Sequence, residues 1–313
     1  QAARGLGYSK LAAVNPRLVY VSITPFGQTG PKAHWLDSDL VLMAAGGPLL
    51  LNGDEDRPPV RMSVPQAYAH AGAEAAGAAL IANHERQRSG MGQHVDVSAQ
   101  QAVALATQST LLSSAVGFPE ARRISGGVGL GPFTVRFVFP AKDGHVSITF
   151  LFGSSVGPFT RRLMVYIHDE GFCDAATRDK DWLRYFDMIF SGEEPFTELE
   201  RVKDVVATFT RTKTKAELLQ AARERDLLIA PVATTREVVE SEQLAARDYW
   251  QTLDHPELGR AIRYPGPFGR ASATPLRYRR RPPTVGEHNR EIYTGELGFT
   301  SEQLGELAAA GII

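Results

Sequence analysis

The stretch at residues 60–82 constrains the fold more than any other part of the chain. A polar approach leads to Pro65, and alanine or glycine then fills most positions between 67 and 79. Alanine is the strongest helix former, so this stretch predicts a helix that other backbone can approach closely. Pro65 suits the first helical turn, and the positive end of the helix can meet an anion. On pattern alone, an ordinary buried core helix is the favoured interpretation.

Charge and cysteine usage exclude several classes of protein. The 313 residues allow one large domain or two modest ones, and the net charge of −1 gives no basic face for nucleic acid. Cys173 is the single cysteine, so there is no disulfide framework and no cysteine cluster for zinc, which fits a reducing cytoplasm. The sequence shows no signal peptide and no apolar run of membrane-spanning length, and we expect no membrane partner.

The first third of the chain has an α/β pattern. Residues 17–24 predict a buried parallel strand, and a Gly/Pro loop follows at 25–31, where open α/β sheets place ligand contacts. Asp37 or Ser38 is expected to cap a helix that runs to about residue 45. Residues 93–98 predict a second strand, which leads into one long helix over about 99–114.

The composition of the chain changes near residue 117, and a glycine-rich segment follows at 122–131. We expect a flexible loop there, in which backbone N–H groups could cradle a phosphate; a plain linker is the alternative, since the glycines do not match a nucleotide-binding spacing.

The later elements are expected as follows: a hairpin at 133–150 turning at 142–144, helices over 157–225, a strand at 229–232, a helix at 234–246 capped by Thr234 or Thr235, and a helix at 301–309 without a full capping box.

Familiar catalytic motifs are absent from the sequence. It contains neither GxSxG nor HExxH nor a calcium loop, and we expect no metal site. His84 and His94 lie in polar settings that indicate exposure. His70 lies two places from Tyr68 on the small-residue helix, where a packed histidine is commoner than a base. The basic run at 279–281 predicts a solvated face or a phosphate neighbour.

Several motifs in a fixed order carry a family resemblance. They are NPRLVYVS at 15–22, FGQTGP at 26–31, DLV at 39–41 with GG at 46–47, PP at 58–59, GQHVDVS at 92–98, IAPV at 229–232, HPELG at 255–259, YPGPF at 264–268 and GEHN at 286–289. On these residues the chain resembles the family III CoA-transferases. That group includes formyl-CoA and carnitine CoA-transferases and the α-methylacyl-CoA racemases.

The resemblance implies an α/β fold with a discontinuous, Rossmann-like large domain, a smaller inserted α+β domain, and interlocked dimers. It assigns residues 1–118 to the large CoA-binding domain, 119–240 to the linker and small domain, and 241–313 to the return into the large domain. The family begins well before the position of Asn15, so the first strands of the large domain are expected to be missing here. A sheet without them exposes an edge, and we expect a partner or an instability.

The resemblance also locates a departure from the family at its nucleophile. The family's aspartate lies at the start of the small-residue helix in a Pro-x-x-Asp pattern, and Tyr68 occupies that place after Pro65. The implied mechanism is covalent: a carboxylate attacks the acyl-CoA thioester and later carries CoA as an aspartyl thioester. A phenol with a pKa near 10 is a poor substitute, and Glu74 lies too far along the helix. The racemases also use a histidine, where this chain has Ser38.

Three hypotheses follow for function. The first is a CoA-transferase acting between an acyl-CoA and a carboxylic acid, as a homodimer or as the Asp-lacking subunit beside an Asp-bearing homologue. The second is a non-catalytic acyl-CoA-binding protein, and the third is a racemase-like enzyme with Tyr68 and His70 as acid and base. In each, CoA or acyl-CoA is a substrate or ligand and no cofactor is permanently bound. The expected CoA contacts are Phe26, Gly27, Gln28, Gly126, Gly127 and Gly129.

Overall fold

The computed structural model describes residues 4–117, 121–130 and 133–313. The chain divides into two compact units, Gln1–Val232 and Ala233–Ile313, and together they hold a mixed α/β fold. Within the described residues, no helix is both long and apolar enough to cross a membrane.

The first unit carries ten α-helices, one 3-10 helix and eight strands within the described ranges. In chain order they are α1 (Tyr8–Val14), β1 (Tyr20–Thr24), α2 (Asp39–Ala45), a 3-10 helix (Pro48–Leu51), α3 (Ala67–Ser89), β2 (His94–Ser98), α4 (Ala99–Leu105), α5 (Gln108–Ala115), β3 (Ala121–Ile124), β4 (Gly127–Leu130), β5 (Phe133–Arg136), β6 (Val138–Ala141), β7 (Gly144–Ile148), α6 (Gly157–Asp169), α7 (Ala175–Arg178), α8 (Tyr185–Ser191), α9 (Phe196–Arg211), α10 (Lys215–Arg225) and β8 (Ile229–Pro231).

The two parallel strands β1 and β2 fix the geometry of the first third of the chain. They pair in register from Tyr20 opposite His94 to Thr24 opposite Ser98. A parallel pair needs a crossover, and α3 supplies it by running back along the strands. At its far end Gly92 donates its N–H to Pro16 O at 2.8 Å, beside the start of β1. The start of α3 therefore lies at the edge where β1 and β2 end, which we call the carboxyl edge.

The small-residue helix α3 packs into a core, as a core helix was expected to, but only through one of its faces. Its buried residues are Ala67, Ala71, Ala75 and Ala82, and the first three pack in one core with Leu42, Met43 and Val103; we call this the strand core. The other face is open, and Leu80 and Ile81 are 70% and 73% exposed.

The start of α3 also differs from the prediction at Pro65. The N-cap is Gln66, so Pro65 precedes the helix instead of lying in its first turn. The cause is Asp39, whose Oδ1 accepts the N–H groups of Gln66 at 2.6 Å and Ala67 at 2.9 Å and so fixes where the helix begins. The predicted cap of α2 is confirmed at Ser38, whose hydroxyl accepts the N–H of Val41.

The glycine-rich segment is a β-hairpin, so the predicted flexible loop was wrong. Strands β3 and β4 pair around a turn at Gly126, and β4 is the central strand of a three-stranded sheet with β5. A Cβ at Gly127 would lie 2.1 Å from Val135 O, and one at Gly129 would lie 3.0 Å from Arg122 Cβ. The glycines permit close strand packing here. Gly131, the last residue of the predicted loop, lies outside the described residues.

A second three-stranded sheet and the helices around it form a separate core. The predicted hairpin is confirmed as β6 and β7, and β8 pairs with β7 as the predicted strand at 229–232. Helices α6 to α10 confirm the helical expectation for 157–225. Trp182, Tyr185, Phe139 and Phe209 are fully buried in this cluster, which we call the aromatic core.

The second unit is smaller and more open. Its elements are α11 (Thr235–Val239), α12 (Glu242–Ala246), β9 (Trp250–His255), a 3-10 helix (Pro256–Leu258), β10 (Arg260–Pro265), a π-helix (Arg290–Glu296) and α13 (Ser301–Ala309). Strands β9 and β10 form an antiparallel pair.

Several predicted helices have different boundaries. The helix expected at 99–114 is broken into α4 and α5, and that expected at 234–246 into α11 and α12, with Thr234 as the cap. α13 opens with a full capping box formed by Thr300 and Gln303, one residue earlier than the start considered from sequence.

Candidate functional site

The carboxyl edge of β1 and β2 brings together the loop after β1 and the start of α3. Open α/β sheets bind ligands at this edge, where loops diverge and helices begin. Three of the predicted CoA contacts, Phe26, Gly27 and Gln28, directly follow β1. Tyr68 lies in the first turn of α3, at the same edge.

The loop after β1 is fixed by β2. Gly27 is buried with φ +87°, a left-handed conformation that favours glycine. The Gln28 N–H donates to Asp96 Oδ2 at 2.8 Å, and a Cβ on Gly27 would lie 3.7 Å from that oxygen. This leaves Gln28 exposed on a rigid turn.

His94 on β2 lies beside the same loop. The expectation of an exposed His94 was wrong, because its ring is half-buried against Tyr8 and Tyr20. Its Nε2 lies 2.8 Å from Ser22 Oγ and 3.4 Å from Gln28 Nε2. The His94 ring thus contacts both β1, through Ser22, and the loop, through Gln28.

Phe26 belongs to an aromatic group with a lysine over it. The rings of Phe26 and Trp35 meet edge to face at 6.1 Å. Lys32 Nζ lies 5.1 Å from the centre of the Trp35 ring and 5.7 Å from that of Phe26. These distances are those of a cation–π interaction.

The hydroxyl of Tyr68 donates to a carboxylate that precedes α2. Its partner is Asp37 Oδ2, at 2.8 Å. Burial raises the pKa of Tyr68 first, and the hydrogen bond and negative charge of Asp37 raise it further, to about 12. Tyr68 is still 47% exposed, so solvent reaches a neutral phenol.

The amino end of α3 is already occupied by a carboxylate. Asp39 Oδ1 accepts the first two N–H groups, and Asp37 holds the side chain of the next residue, Tyr68. The positive end of the helix dipole therefore faces Asp39. Little of that charge is left to attract a substrate anion.

His70 does not join Tyr68 in an acid–base pair. Residues two apart on a helix point in different directions, and His70 is half-buried on α3. Its backbone N–H donates to Gln66 O at 3.0 Å in the first turn.

The hairpin with Gly126, Gly127 and Gly129 is tied to the acidic turn at 54–57. Arg122 forms an ion pair with Glu55, and Arg123 Nε donates to Asp54 O at 2.8 Å and to Arg57 O at 3.1 Å. Arg122 and Arg123 thus hold the hairpin against this turn. The role of the three glycines toward CoA stays a prediction.

A cavity of about 310 Å³ lies beside β2. Asp96, Ser98 and Glu74 contribute to its lining, so it borders the Gln28 turn. A larger cavity, of about 840 Å³, lies within the second unit and contains none of the residues predicted for the site. Among the described residues, no group of three or more His, Cys, Asp or Glu side chains is placed to hold a metal ion.

Two of the three arginines at 279–281 form ion pairs, and Arg279 and Arg280 are exposed, in agreement with the predicted solvated face. Arg281 pairs with Glu257 at 2.9 Å and Glu287 at 2.8 Å, and Arg280 pairs with Glu291 at 3.3 Å. Arg281 holds the pKa of Glu287 at about 2. These pairs lie inside the second unit and place carboxylates beside the charges of Arg280 and Arg281.

Sequence reasoning missed Lys32, Trp35 and Asp37 as members of the site. Lys32 and Trp35 follow the FGQTGP motif, and that proximity was the available signal. Asp37 was considered only as a helix cap, and nothing in the sequence connects it to a residue 31 positions later.

Comparison with known proteins identifies the family. The family model described as CoA-transferase family III matches residues 1–289. The chain belongs to CoA-transferase family III. Its relatives include a protein of Thauera aromatica named succinyl-CoA:(R)-benzylsuccinate CoA-transferase subunit BbsE, 34% identical over 99% of this chain and 73% of the relative. Another is the succinyl-CoA–D-citramalate CoA-transferase of Chloroflexus aurantiacus, 30% identical over 99% of this chain and 73% of that protein.

A solved structure shares the fold of this family III chain. It is a CAIB/BAIF family protein from Brucella suis, with a TM-score of 0.73 over 94% of this chain and 72% of that one. The two sequences are 21% identical, so the likeness concerns the fold alone. The family resemblance read from the motifs is thereby confirmed.

Proposed function

We propose that this chain binds acyl-CoA and takes part in CoA transfer to a carboxylic acid as a subunit whose carboxylate nucleophile comes from a homologous partner. The observation that carries the proposal is Tyr68 at the start of α3, whose hydroxyl donates a hydrogen bond to Asp37. The scaffold of the family is present, and the nucleophile position holds a phenol.

The chemistry of Tyr68 argues against its acting alone. With a pKa of about 12, roughly one Tyr68 side chain in 10⁵ is ionised at pH 7. An attacking phenolate would also lie against the negative charge of Asp37. The same facts disfavour Tyr68 as a base, and His70 is not placed to assist it, so the racemase-like hypothesis has little support.

The relatives support a transferase made of more than one kind of chain. One relative is named as a subunit, and two have succinyl-CoA in their names. We therefore propose succinyl-CoA as the donor to try first. CoA thioesters are substrates of such enzymes, and no permanently bound cofactor is part of the proposal.

The proposed CoA contacts are Phe26, Gly27 and Gln28, with the hairpin glycines Gly126, Gly127 and Gly129 as further candidates. The rigid Gln28 turn at the carboxyl edge supports the first group. Close strand packing explains the hairpin glycines without a ligand, so their support is the family resemblance only.

Fold details and assembly belong to the same proposal. We expect a Rossmann-like large domain formed by 1–118 and 241–313, an inserted domain over 119–240, and a dimer with interlocked chains or with an Asp-bearing homologue. A cytoplasmic location is proposed from the single cysteine. A non-catalytic acyl-CoA-binding protein stays the alternative from another class.

A second candidate function rests on Asp37, since a carboxylate lies 2.8 Å from the Tyr68 hydroxyl. In that case Asp37 attacks the thioester carbonyl, the C–S bond breaks, CoA leaves as the thiolate, and the acyl group stays on Asp37 as a mixed anhydride. The chain would then be active without a partner.

One exchange assay separates these candidates. The chain is purified with and without a co-expressed Asp-bearing homologue, and CoA transfer from succinyl-CoA to a free acid is followed. We expect CoA transfer only when the homologue is present. In that pair, Tyr68→Phe should have nearly the same activity as the unmodified chain. Activity of the chain alone that disappears in Asp37→Asn would establish the second candidate. Failure to bind CoA in calorimetry would remove the whole proposal.

A further inference from the structure

Lys32 carries a half-buried positive charge that no carboxylate neutralises in the described part of the chain. Its ammonium lies over the rings of Trp35 and Phe26 and forms no ion pair with a described Asp or Glu. An aromatic face attracts a cation but does not cancel its charge. The ammonium is therefore available to an anion that approaches from solvent.

Apolar surface lies directly beside this charge. Trp35 is 57% exposed and Leu36 is 92% exposed, and the two are consecutive in the chain. An exposed apolar patch marks an interaction surface, and the cation beside it gives this surface a polar end.

Two tight turns hold these side chains in place. Ala33 N–H donates to Gly30 O at 3.3 Å, and Trp35 N–H donates to Lys32 O at 3.0 Å. Pro31 occupies the second position of the first turn, where the fixed φ of proline is favoured. The lysine and the indole are thus presented together before any ligand arrives.

The surface formed by Phe26, Lys32, Trp35 and Leu36, which we call the patch, borders the nucleophile position at both ends. Phe26 follows β1 at the carboxyl edge, and Asp37, two residues beyond Trp35, accepts the hydrogen bond from Tyr68. A ligand held on the patch therefore lies next to the place where the family's chemistry occurs.

We propose that Lys32, Trp35, Leu36 and Phe26 form the binding site for the acid substrate, and that this substrate is an arylalkanoic acid. Its carboxylate pairs with Lys32, and its aryl ring packs on Trp35 and Leu36. The inference rests on the proposed function, because it assigns the acid of that reaction. A CoA diphosphate would need several converging donors, whereas the patch offers one cation and a broad apolar surface.

The test measures binding of small acids to the full chain by ligand-observed NMR titration. The probe is 3-phenylpropionate, with 3-phenylpropanamide and succinate as comparison ligands. We expect 3-phenylpropionate to bind more tightly than either, since the amide lacks the charge and succinate lacks the ring. Lys32→Met and Trp35→Leu should each weaken binding of the probe by about fivefold, the size expected for one exposed ion pair or ring contact.

Matched variants keep the test specific. Lys142→Met removes an exposed lysine elsewhere and should leave the Kd of 3-phenylpropionate unchanged. Trp35→Phe retains a ring and should recover most of the affinity lost in Trp35→Leu. Far-ultraviolet circular dichroism of each variant shows that its fold is retained.

CoA binding, measured in parallel by calorimetry, separates failure of the inference from failure of the proposed function. Equal affinity of the unmodified chain and Lys32→Met for the probe, with CoA still bound, overturns the acid site alone. Loss of CoA affinity in Lys32→Met, with the acid unaffected, assigns the lysine to a CoA phosphate and also overturns it. A chain that binds the acid but never CoA refutes the proposed function instead.

Discussion

The Tyr68 hydroxyl donates a 2.8 Å hydrogen bond to Asp37 Oδ2, which joins the first turn of α3 to the segment that precedes α2. Because Asp39, the first residue of α2, caps α3, two carboxylates hold the start of one helix. The side chain at the position of the family's nucleophile is thus a neutral phenol that is hydrogen-bonded within the chain.

Replacing Asp37 by Asn should lower the pKa of Tyr68 from about 12 toward the ordinary value near 10. Removal of the carboxylate charge makes the phenolate easier to form, while burial still opposes it. The measurement is phenolate absorbance against pH, with the Tyr68→Phe curve subtracted to isolate one tyrosine. An unchanged Tyr68 titration in Asp37→Asn would show that the hydrogen bond does not set the pKa.

The same shift predicts a loss of stability in alkaline solution. The folded chain holds the Tyr68 proton more tightly than the unfolded chain, so this contribution is complete below about pH 10 and is lost as pH rises toward about 12. In thermal scans, the Tm of Tyr68→Phe should fall less between about pH 10 and pH 12 than the Tm of the unmodified chain. Parallel curves for the two proteins would count against the assignment.

Asp39→Ala should cost about 1–3 kcal/mol of unfolding free energy, because two N–H groups at the start of α3 lose a charged acceptor. Urea unfolding followed by circular dichroism measures the change. Asp39→Asn is the matched control, since its amide oxygen can still accept both hydrogen bonds. A cost for Asn equal to that for Ala would indicate that charge matters more than the bonds.

Gly127→Ala should destabilise the hairpin by about 1–3 kcal/mol, because the new Cβ would lie 2.1 Å from Val135 O. Gly72→Ala is the opposite case: a Cβ there meets nothing within 4 Å, and alanine favours the helix by about 0.5–1 kcal/mol. Both are read from urea unfolding midpoints. Similar midpoints for the two variants would mean that the strands of the hairpin separate easily.

Acid should weaken the second unit through Glu287. Arg281 lowers the pKa of Glu287 from 4.5 to about 2, so its contribution is complete above about pH 4.5 and is lost as pH falls toward 2. Thermal scans at several pH values should show a smaller acid-induced decrease in Tm for Glu287→Gln than for the unmodified chain. Identical acid dependence would show that the ion pair with Arg281 adds no stability.

Local patterns predicted much of the fold. The β-branched run ending at Thr24 and the Lys142-Asp143-Gly144 turn were sufficient to place β1 and the β6–β7 hairpin. The hairpin at Gly126 and Gly127 was missed because glycine is rare in strands, and only the neighbouring strands make it necessary there.

The candidate site was only partly predictable for a similar reason. The loop at Phe26 was found because it follows a strand. The Asp37–Tyr68 bond depends on how α2 and α3 pack, and no local pattern encodes such packing. The cap at Asp39 is likewise a tertiary contact, and it moved the helix start beyond Pro65.

The strand core and the aromatic core of the first unit have no described residue in common. Each can therefore melt as its own cooperative transition. A ligand at the carboxyl edge touches elements of the strand core alone, so it should raise one calorimetric peak and leave the other where it was. Heat capacity would then report which part of the chain a ligand has reached, without any assay of turnover.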